Sequence, residues 1–263
     1  MKLKIMTYNV ASGRVYEDTS KINSYGGCPQ DLSRCASIIR GISPDFCGIN
    51  EINHYHSKDI AIKNQPEFLA NNTGLTYCVF GRAMTTKSGG GRDYGNAVIS
   101  KHPIISSEII SIPDPVIKDE NKYYENRSIT KVKLDIAGGI TVLQTHMGLA
   151  IAEAKNAVNT VFRLLDEIDG PVILMGDFNM RPSNILIDML RERLFDTALI
   201  RDDYIPTFPS YIYPEGFHPG DETPPCKIDY IFVSKHFKTL SIDVINTSVS
   251  DHMPVVVEVE IEI

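Results

Sequence analysis

Residues Val172–Met175 are apolar at every position, and the chain then turns at once into Gly176-Asp177-Phe178-Asn179. A short apolar run bounded by turn signals is what a strand covered on both faces requires. Such a strand needs other layers above and below it. The helix signals meet that need. Ile151–Ile168 sets Ile151, Ala154, Val158, Val161, Phe162, Leu165 and Ile168 on one stripe, and Gly170-Pro171 closes it. Asp31–Arg40 places Leu32, Cys35, Ile38 and Ile39 on one face, with Gly41 as its stop. Helices are also expected over Pro66–Asn72, ended by Gly74, and over Ser183–Leu194, with Ser183 as N-cap.

The strand signals are equally dispersed. Met1–Asn9 alternates, with Leu3 and Ile5 on one side and Lys2 and Lys4 on the other. Val255–Ile263 does the same, with Val257, Val259 and Ile261 opposite Glu258, Glu260 and Glu262. Phe46–Ile49, Thr76–Phe80, Ala97–Ser100, Ile104–Ile110, Ser128–Ile136, Ile140–Thr145, Ile228–Val233 and a segment near Leu240–Ile245 are strand-like. Ala137-Gly138-Gly139 reads as a hairpin turn. Strands, helices and hairpins are thus mixed throughout, which predicts an α/β or α+β chain with sheets covered by helices. No repeat or linker interrupts residues 1–263, so the chain reads as one domain.

Two segments lack periodicity. Gly81–Gly95 offers Arg82, Lys87 and Arg92 to grip a phosphate, and Asp202–Lys227 holds Tyr204, Phe208, Tyr211, Tyr213 and Phe217, able to stack on a base, ring or lipid headgroup. The formal charge of -7 argues against broad neutralisation of duplex DNA but leaves room for a local basic lip. Five scattered cysteines without a CxxC pair indicate neither a zinc site nor a disulfide framework. No apolar run reaches the ~20 residues that cross a bilayer. A reduced, cytoplasmic enzyme is the expectation.

The chemistry sits at strand ends. After Val172–Met175, a glycine frees the backbone to turn, and Asp177 and Asn179 follow two residues apart. The carboxylate is suited to activating water and the amide to meeting a developing oxyanion, although Asp-x-Asn after a strand also forms an Asx turn. Ser250-Asp251-His252 pairs a carboxylate for metal with an imidazole for substrate. Asp229 interrupts the apolar strand Ile228–Val233, and a bond to an imidazole would explain a buried carboxylate there. Asn9, Glu51 and His146 each close a strand in the same manner. Carboxylates and amides without thiols suit a hard cation, Mg²⁺ or Mn²⁺.

In order, Thr7-Tyr8-Asn9, Ile49-Asn50-Glu51, Gly95-Asn96-Ala97-Val98-Ile99-Ser100, Thr145-His146, Gly176-Asp177-Phe178-Asn179, Ile228-Asp229-Tyr230 and Ser250-Asp251-His252 resemble the signatures of the endonuclease/exonuclease/phosphatase superfamily. Each motif is weak alone; their joint order and spacing are specific. The resemblance implies a four-layer α/β/β/α sandwich, two mixed β-sheets flanked by helices, with the site at the sheets' upper edge. It implies that Glu51 is the principal metal carboxylate, supported by Asn9 and Asp251. It further implies that Asp177 handles the attacking water, Asn179 stabilises the transition state, and Asp229 orients His252 toward the scissile phosphate. His146 resembles a histidine assisting the leaving group or phosphate, and Arg127 an arginine approaching the phosphate in some members. Asn96 and Arg82 are the remaining candidates for phosphate contact.

The implied activity is Mg²⁺-dependent hydrolysis of a phosphate ester on a small or flexible substrate. A DNA or RNA nuclease is the alternative, and a non-catalytic binding protein on the same scaffold a third. Abasic-site endonucleases of the superfamily resemble one another in a tryptophan and arginine before the Ile-Asp-Tyr-like motif, and in an Asp two residues after the first Asn. Here Cys226-Lys227 and Ala11 stand at those places and the chain has no Trp, which disfavours DNA repair and a second metal.

Overall fold

Alternating segments from both ends of the chain meet in one sheet. A computed structural model describes residues 1–21, 28–87, 90–119, 121, 123–211 and 225–261. Strands β1 (Lys2–Asn9), β2 (Phe46–Tyr55), β3 (Tyr77–Thr86), β4 (Arg92–Ser100), β11 (Phe237–Val244) and β12 (Val255–Ile261) form a six-stranded sheet ordered β11-β12-β1-β2-β4-β3. The second sheet contains β5 (Ile104–Ser111), β6 (Ser128–Leu134), β7 (Ile140–His146), β8 (Val172–Asp177), β9 (Phe195–Asp196) and β10 (Asp229–Val233), ordered β5-β6-β7-β8-β10-β9. Both sheets are mixed: β1 pairs in parallel with β2, and β7 with β8, while the other neighbours run antiparallel.

The period-two pattern decides which side each residue buries. Leu3, Ile5, Phe46 and Val98 of the first sheet pack against Val132, Val142, Ile173, Met175 and Ile231 of the second. Alternate residues face outward, where helices cover them. Met6, Tyr8, Cys47, Ile49 and Ala97 lie beneath α1 (Leu32–Ile42) and α2 (Gln65–Thr73). Leu143, Leu174, Tyr230 and Phe232 lie beneath α3 (Ile151–Glu167) and α4 (Ile185–Arg191). These four layers, α/β/β/α, are the architecture that the motif order implied. No helix among the described residues is long and apolar enough to cross a membrane.

Boundaries moved where side-chain caps overrode periodicity. Asn184, not Ser183, caps α4: its side chain accepts from Leu186 N at 3.0 Å. Helix α1 runs past Gly41 and ends on Ser43, which takes the left-handed conformation at φ 53°. Gly81–Gly95 is mostly a paired strand, because β3 and β4 extend into it and leave only a short connection. Of the aromatics in the second aperiodic segment, Tyr213 and Phe217 lie outside the described residues.

Gly176 shows how the crossover to the site is built. It adopts φ 138°, and a Cβ there would stand 1.9 Å from the Thr145 carbonyl oxygen. Both the conformation and the close approach require glycine. Gly176→Ala is therefore expected to lower the unfolding free energy by about 3 kcal/mol, measured as an earlier denaturation midpoint.

Candidate active site

The residues at the sheet ends converge because β1, β2, β7, β8 and β10 are neighbours within or across the two sheets. Asn9 closes β1 and points its amide at three groups. Nδ2 lies 3.1 Å from Glu51 Oε1, 3.1 Å from Asp177 Oδ2 and 3.4 Å from His252 Nε2. Its Oδ1 accepts from Ala11 N at 3.0 Å, and Ser250 Oγ donates to its carbonyl at 2.7 Å. That single side chain ties the first sheet to the second.

Glu51 reaches this point through a break in strand pairing. The register of β2 against β4 shifts between Ile49 and Ile52, and Glu51 itself has φ 55°. Such a bulge re-aims a side chain that would otherwise follow the pleat. Beside it, Asn50 is fully buried and spans the sheets: Nδ2 donates to Asn96 Oδ1 at 2.8 Å and to the Thr145 carbonyl at 2.9 Å, while Oδ1 accepts from Asp177 N at 3.0 Å. Asn50 carries no role in the sequence reading, yet it positions Asp177. Its place between Ile49 and Glu51 was the available signal.

Asp177 ends β8 at 1% exposure. Its Oδ1 accepts from Asn179 N at 2.9 Å, and its Oδ2 stands 3.4 Å from His146 Nε2 and 3.5 Å from His252 Nε2. Asn179, at φ 53°, turns its amide so that Nδ2 lies 3.0 Å from His146 Nε2 and donates to the Met147 carbonyl at 2.9 Å. On the other side, Asp229 Oδ2 holds His252 Nδ1 at 2.9 Å. Thr207 Oγ1 accepts from Ile228 N at 3.1 Å and Asp229 N at 3.2 Å, and the Phe208 ring lies 4.8 Å from the His252 ring. Thr207 and Phe208 thus position the Asp229–His252 pair, a contact between distant segments that local sequence does not announce.

The environment drives these groups apart in charge. Burial, relieved in part by His252, pushes Asp177 up to about 7. Burial also opposes the charged form of His252, but Asp229 and Asp177 outweigh it and hold its imidazolium well above the usual histidine range. His146 goes the other way: burial, then the charges of Arg127 and His252, hold it well below that range. One imidazole is cationic, the other neutral, and a carboxylate titrating near neutrality stands between them. Groups separated in this way are equipped for acid and base work.

The remaining candidates are placed differently. Asp251 Oδ1 accepts from Ser250 Oγ at 3.2 Å; its carboxylate makes no hydrogen bond to Glu51 or Asn9, although it and Glu51 both raise the pKa of Arg14. Arg127 is buried, with Nη2 2.8 Å from Glu125 Oε2 and with Nε and Nη1 unpartnered. Asn96, expected at the phosphate, is a brace between the sheets: at 2% exposure, it accepts from Asn50 and donates to the Ser128 carbonyl at 3.3 Å. Arg82, the other expected phosphate contact, stands apart from the cluster. It lies on an edge strand, its side chain 64% exposed and 3.9 Å from Asp93, and among the described residues it makes no contact with the cluster. A strand's pleat, invisible in a segment read as loop, sends it to the outer face.

Metal donors are present. Asp177, Asp229 and His252 each offer one ligand atom, all within 4.8 Å of one another, and Asp229 Oδ1 is buried without a hydrogen-bond partner. A divalent cation would satisfy such an oxygen, so the residues fit one. Glu51 is a further donor, with its side chain 19% exposed.

The family profile described as "Endonuclease/Exonuclease/phosphatase family" matches residues 6–252. The chain belongs to that family. Its members are generally metal-dependent phosphoesterases. A sequence search of curated proteins returns no significant match. Among solved structures, an endonuclease/exonuclease/phosphatase from Beutenbergia cavernae superposes with a TM-score of 0.78 at 24% identity, covering 99% of this chain and 72% of that one. A Bacteroides vulgatus endonuclease/exonuclease/phosphatase gives 0.74 at 19% identity, covering 100% of both chains. A mannosyl-6-phosphatase from Bacteroides thetaiotaomicron gives 0.73 at 18% identity, covering 98% of this chain and 99% of that one. At these identities the superpositions speak for the fold.

Proposed function

We propose that this family member is a Mg²⁺-dependent hydrolase of phosphate esters, acting on a small or flexible substrate through in-line attack of an activated water. The observation that carries the reading is the position of the Asp177 carboxylate between the Asn9 amide and the His146 and His252 imidazoles. Glu51 and Asp251 are assigned to the cation, with Asn9 supporting the site through the bond from its amide to Glu51. In the tighter Asp177, Asp229 and His252 group, His252 Nδ1 and Asp229 Oδ2 are already spent on each other at 2.9 Å, which leaves Asp229 Oδ1 as the oxygen of that pair still open to a cation. Glu51 is partly exposed, which suits an ion that keeps several of its waters. The chemistry such a cation supplies is polarisation of a non-bridging phosphoryl oxygen.

The protein's own groups do the rest. Asp177, able to exchange a proton near neutral pH, orients the attacking water and takes its proton. The Asn179 amide and neutral His146 donate or accept at the phosphoryl oxygens and leaving group. Cationic His252, held by Asp229, faces the accumulating negative charge. The mannosyl-6-phosphatase among the structural relatives supports a sugar phosphate as one substrate class to try. The net charge of -7 supports a small phosphate ester over duplex nucleic acid.

Hydrolysis of a chromogenic phosphodiester and of a phosphomonoester is expected to stop on chelation and to return with Mg²⁺ or Mn²⁺. Undiminished turnover after exhaustive chelation would refute the metal assignment. A chain that hydrolyses neither ester class in the presence of metal would refute the reading as a whole.

A further inference from the structure

Glu51 presents its carboxylate to two different places. Oε1 meets the Asn9 amide that also reaches Asp177 and His252, whereas Oε2 accepts from Arg14 Nη2 at 3.1 Å. On that second side lies a cavity of about 250 Å³, lined by Arg14, Gln30, Glu51, Arg92, Tyr94 and Glu125 among others. It is one carboxylate away from the catalytic cluster. Arg92 and Tyr94 line it because they alternate along β4 with Asn96, on the face turned toward the second sheet, as the bond from Asn96 to the Ser128 carbonyl shows.

The lining sets two arginines, Arg14 and Arg92, against two glutamates, Glu51 and Glu125, but the pairing leaves Arg92 over. Glu125 is already engaged on both oxygens, by Arg127 Nη2 at 2.8 Å and by the Tyr123 hydroxyl at 2.9 Å. Glu51 is held by Asn9 and Arg14. The Arg92 guanidinium, by contrast, makes no hydrogen bond or ion pair among the described residues, and neither does the hydroxyl of Tyr94, a residue only 8% exposed. The Arg92 fork and the Tyr94 hydroxyl therefore line the space as donors without an acceptor, whereas Arg14 is held by Glu51 and the Ala11 carbonyl. Arginine's planar fork matches a phosphoryl group in a bidentate manner. The volume suits one such group on a short organic frame rather than a larger ligand.

We propose that this cavity is a subsite for a second phosphoryl group of the substrate, so that the preferred substrates are small bisphosphorylated molecules. Arg92 and the Tyr94 hydroxyl bind the non-reacting phosphate, and Arg14, on the same lining, adds its charge. The other phosphate is then presented to Asp177 and His252. The inference rests on the phosphoesterase reading for which phosphate reacts, but the subsite itself is a matter of binding.

The test measures binding by calorimetry in a hydrolysis-impaired Asp177→Asn protein with Mg²⁺ present, using glycerol, fructose and inositol bisphosphates beside their monophosphates. At least one bisphosphate is expected to bind about 10- to 100-fold tighter than its monophosphate. Arg92→Gln in that background is expected to erase the preference, Arg92→Lys to retain part of it, and Tyr94→Phe to reduce it. Equal affinity for mono- and bisphosphates in all three pairs would overturn the subsite, and so would a preference that survives Arg92→Gln. Loss of the phosphoesterase reading would show instead as absent turnover in the native chain with Mg²⁺, independent of the binding result.

Discussion

Replacing Asp177 with alanine is expected to lower kcat on the order of 10³-fold or more, with the protein still folded. The carboxylate is 1% exposed and faces the Asn9 amide, the neutral His146 and the cationic His252. No described neighbour replaces its ability to take a proton from water: burial holds Asp177 near 7, while Asp229 is committed to His252. Steady-state kinetics on a phosphate ester, with a thermal melt as control, checks the expectation. Activity within tenfold of the native chain would remove Asp177 from the mechanism. The same loss with a collapsed melting transition would instead mark a folding defect, which Asp177→Asn, closer in shape, would distinguish.

Asp229→Asn is the second large effect, about 10²- to 10⁴-fold in kcat with a small change in KM. The amide keeps the shape and contact of the side chain but not its charge. Burial disfavours protonated His252, and the Asp229 and Asp177 carboxylates reverse that preference. Without Asp229 the imidazole releases its proton at lower pH. Because the folded native chain holds His252 protonated above its ordinary range, activity that depends on the imidazolium should persist through neutral pH in the native enzyme. In the Asp229→Asn protein the alkaline limb should move to lower pH. A pH–rate profile of unchanged shape would show that Asp229 acts only in packing.

The strands that carry the site were legible because burial imposes a pattern. Val172–Met175 sits in the structure as β8, buried at each position, and Leu3 and Ile5 face the space between the sheets as their alternation required. Side chains whose placement depends on local backbone detail were less legible. Arg82 was assigned by charge and proximity in sequence, and the pleat of β3 put it on the outer edge. Asn96 was assigned through its motif, but its amide is consumed by Asn50 and Ser128. Asn50, Thr207 and Phe208 passed without a role because their partners lie far along the chain.

By itself the sequence determined most of the strands and helices and the polar residues at the strand ends, since an apolar strand that stops at Asp or His permits few placements for that side chain; the four layers were implied only by the resemblance of its motifs. The tertiary structure alone decided which of those ends meet. The bulge at Glu51, the turn at Gly176 and the bridge of Asn50 across the sheets are set by backbone contacts between segments widely separated in the chain. Protonation was decided there too. His146 and His252 are the same residue type, and burial acts on both, but only His252 has two carboxylates close enough to reverse its effect.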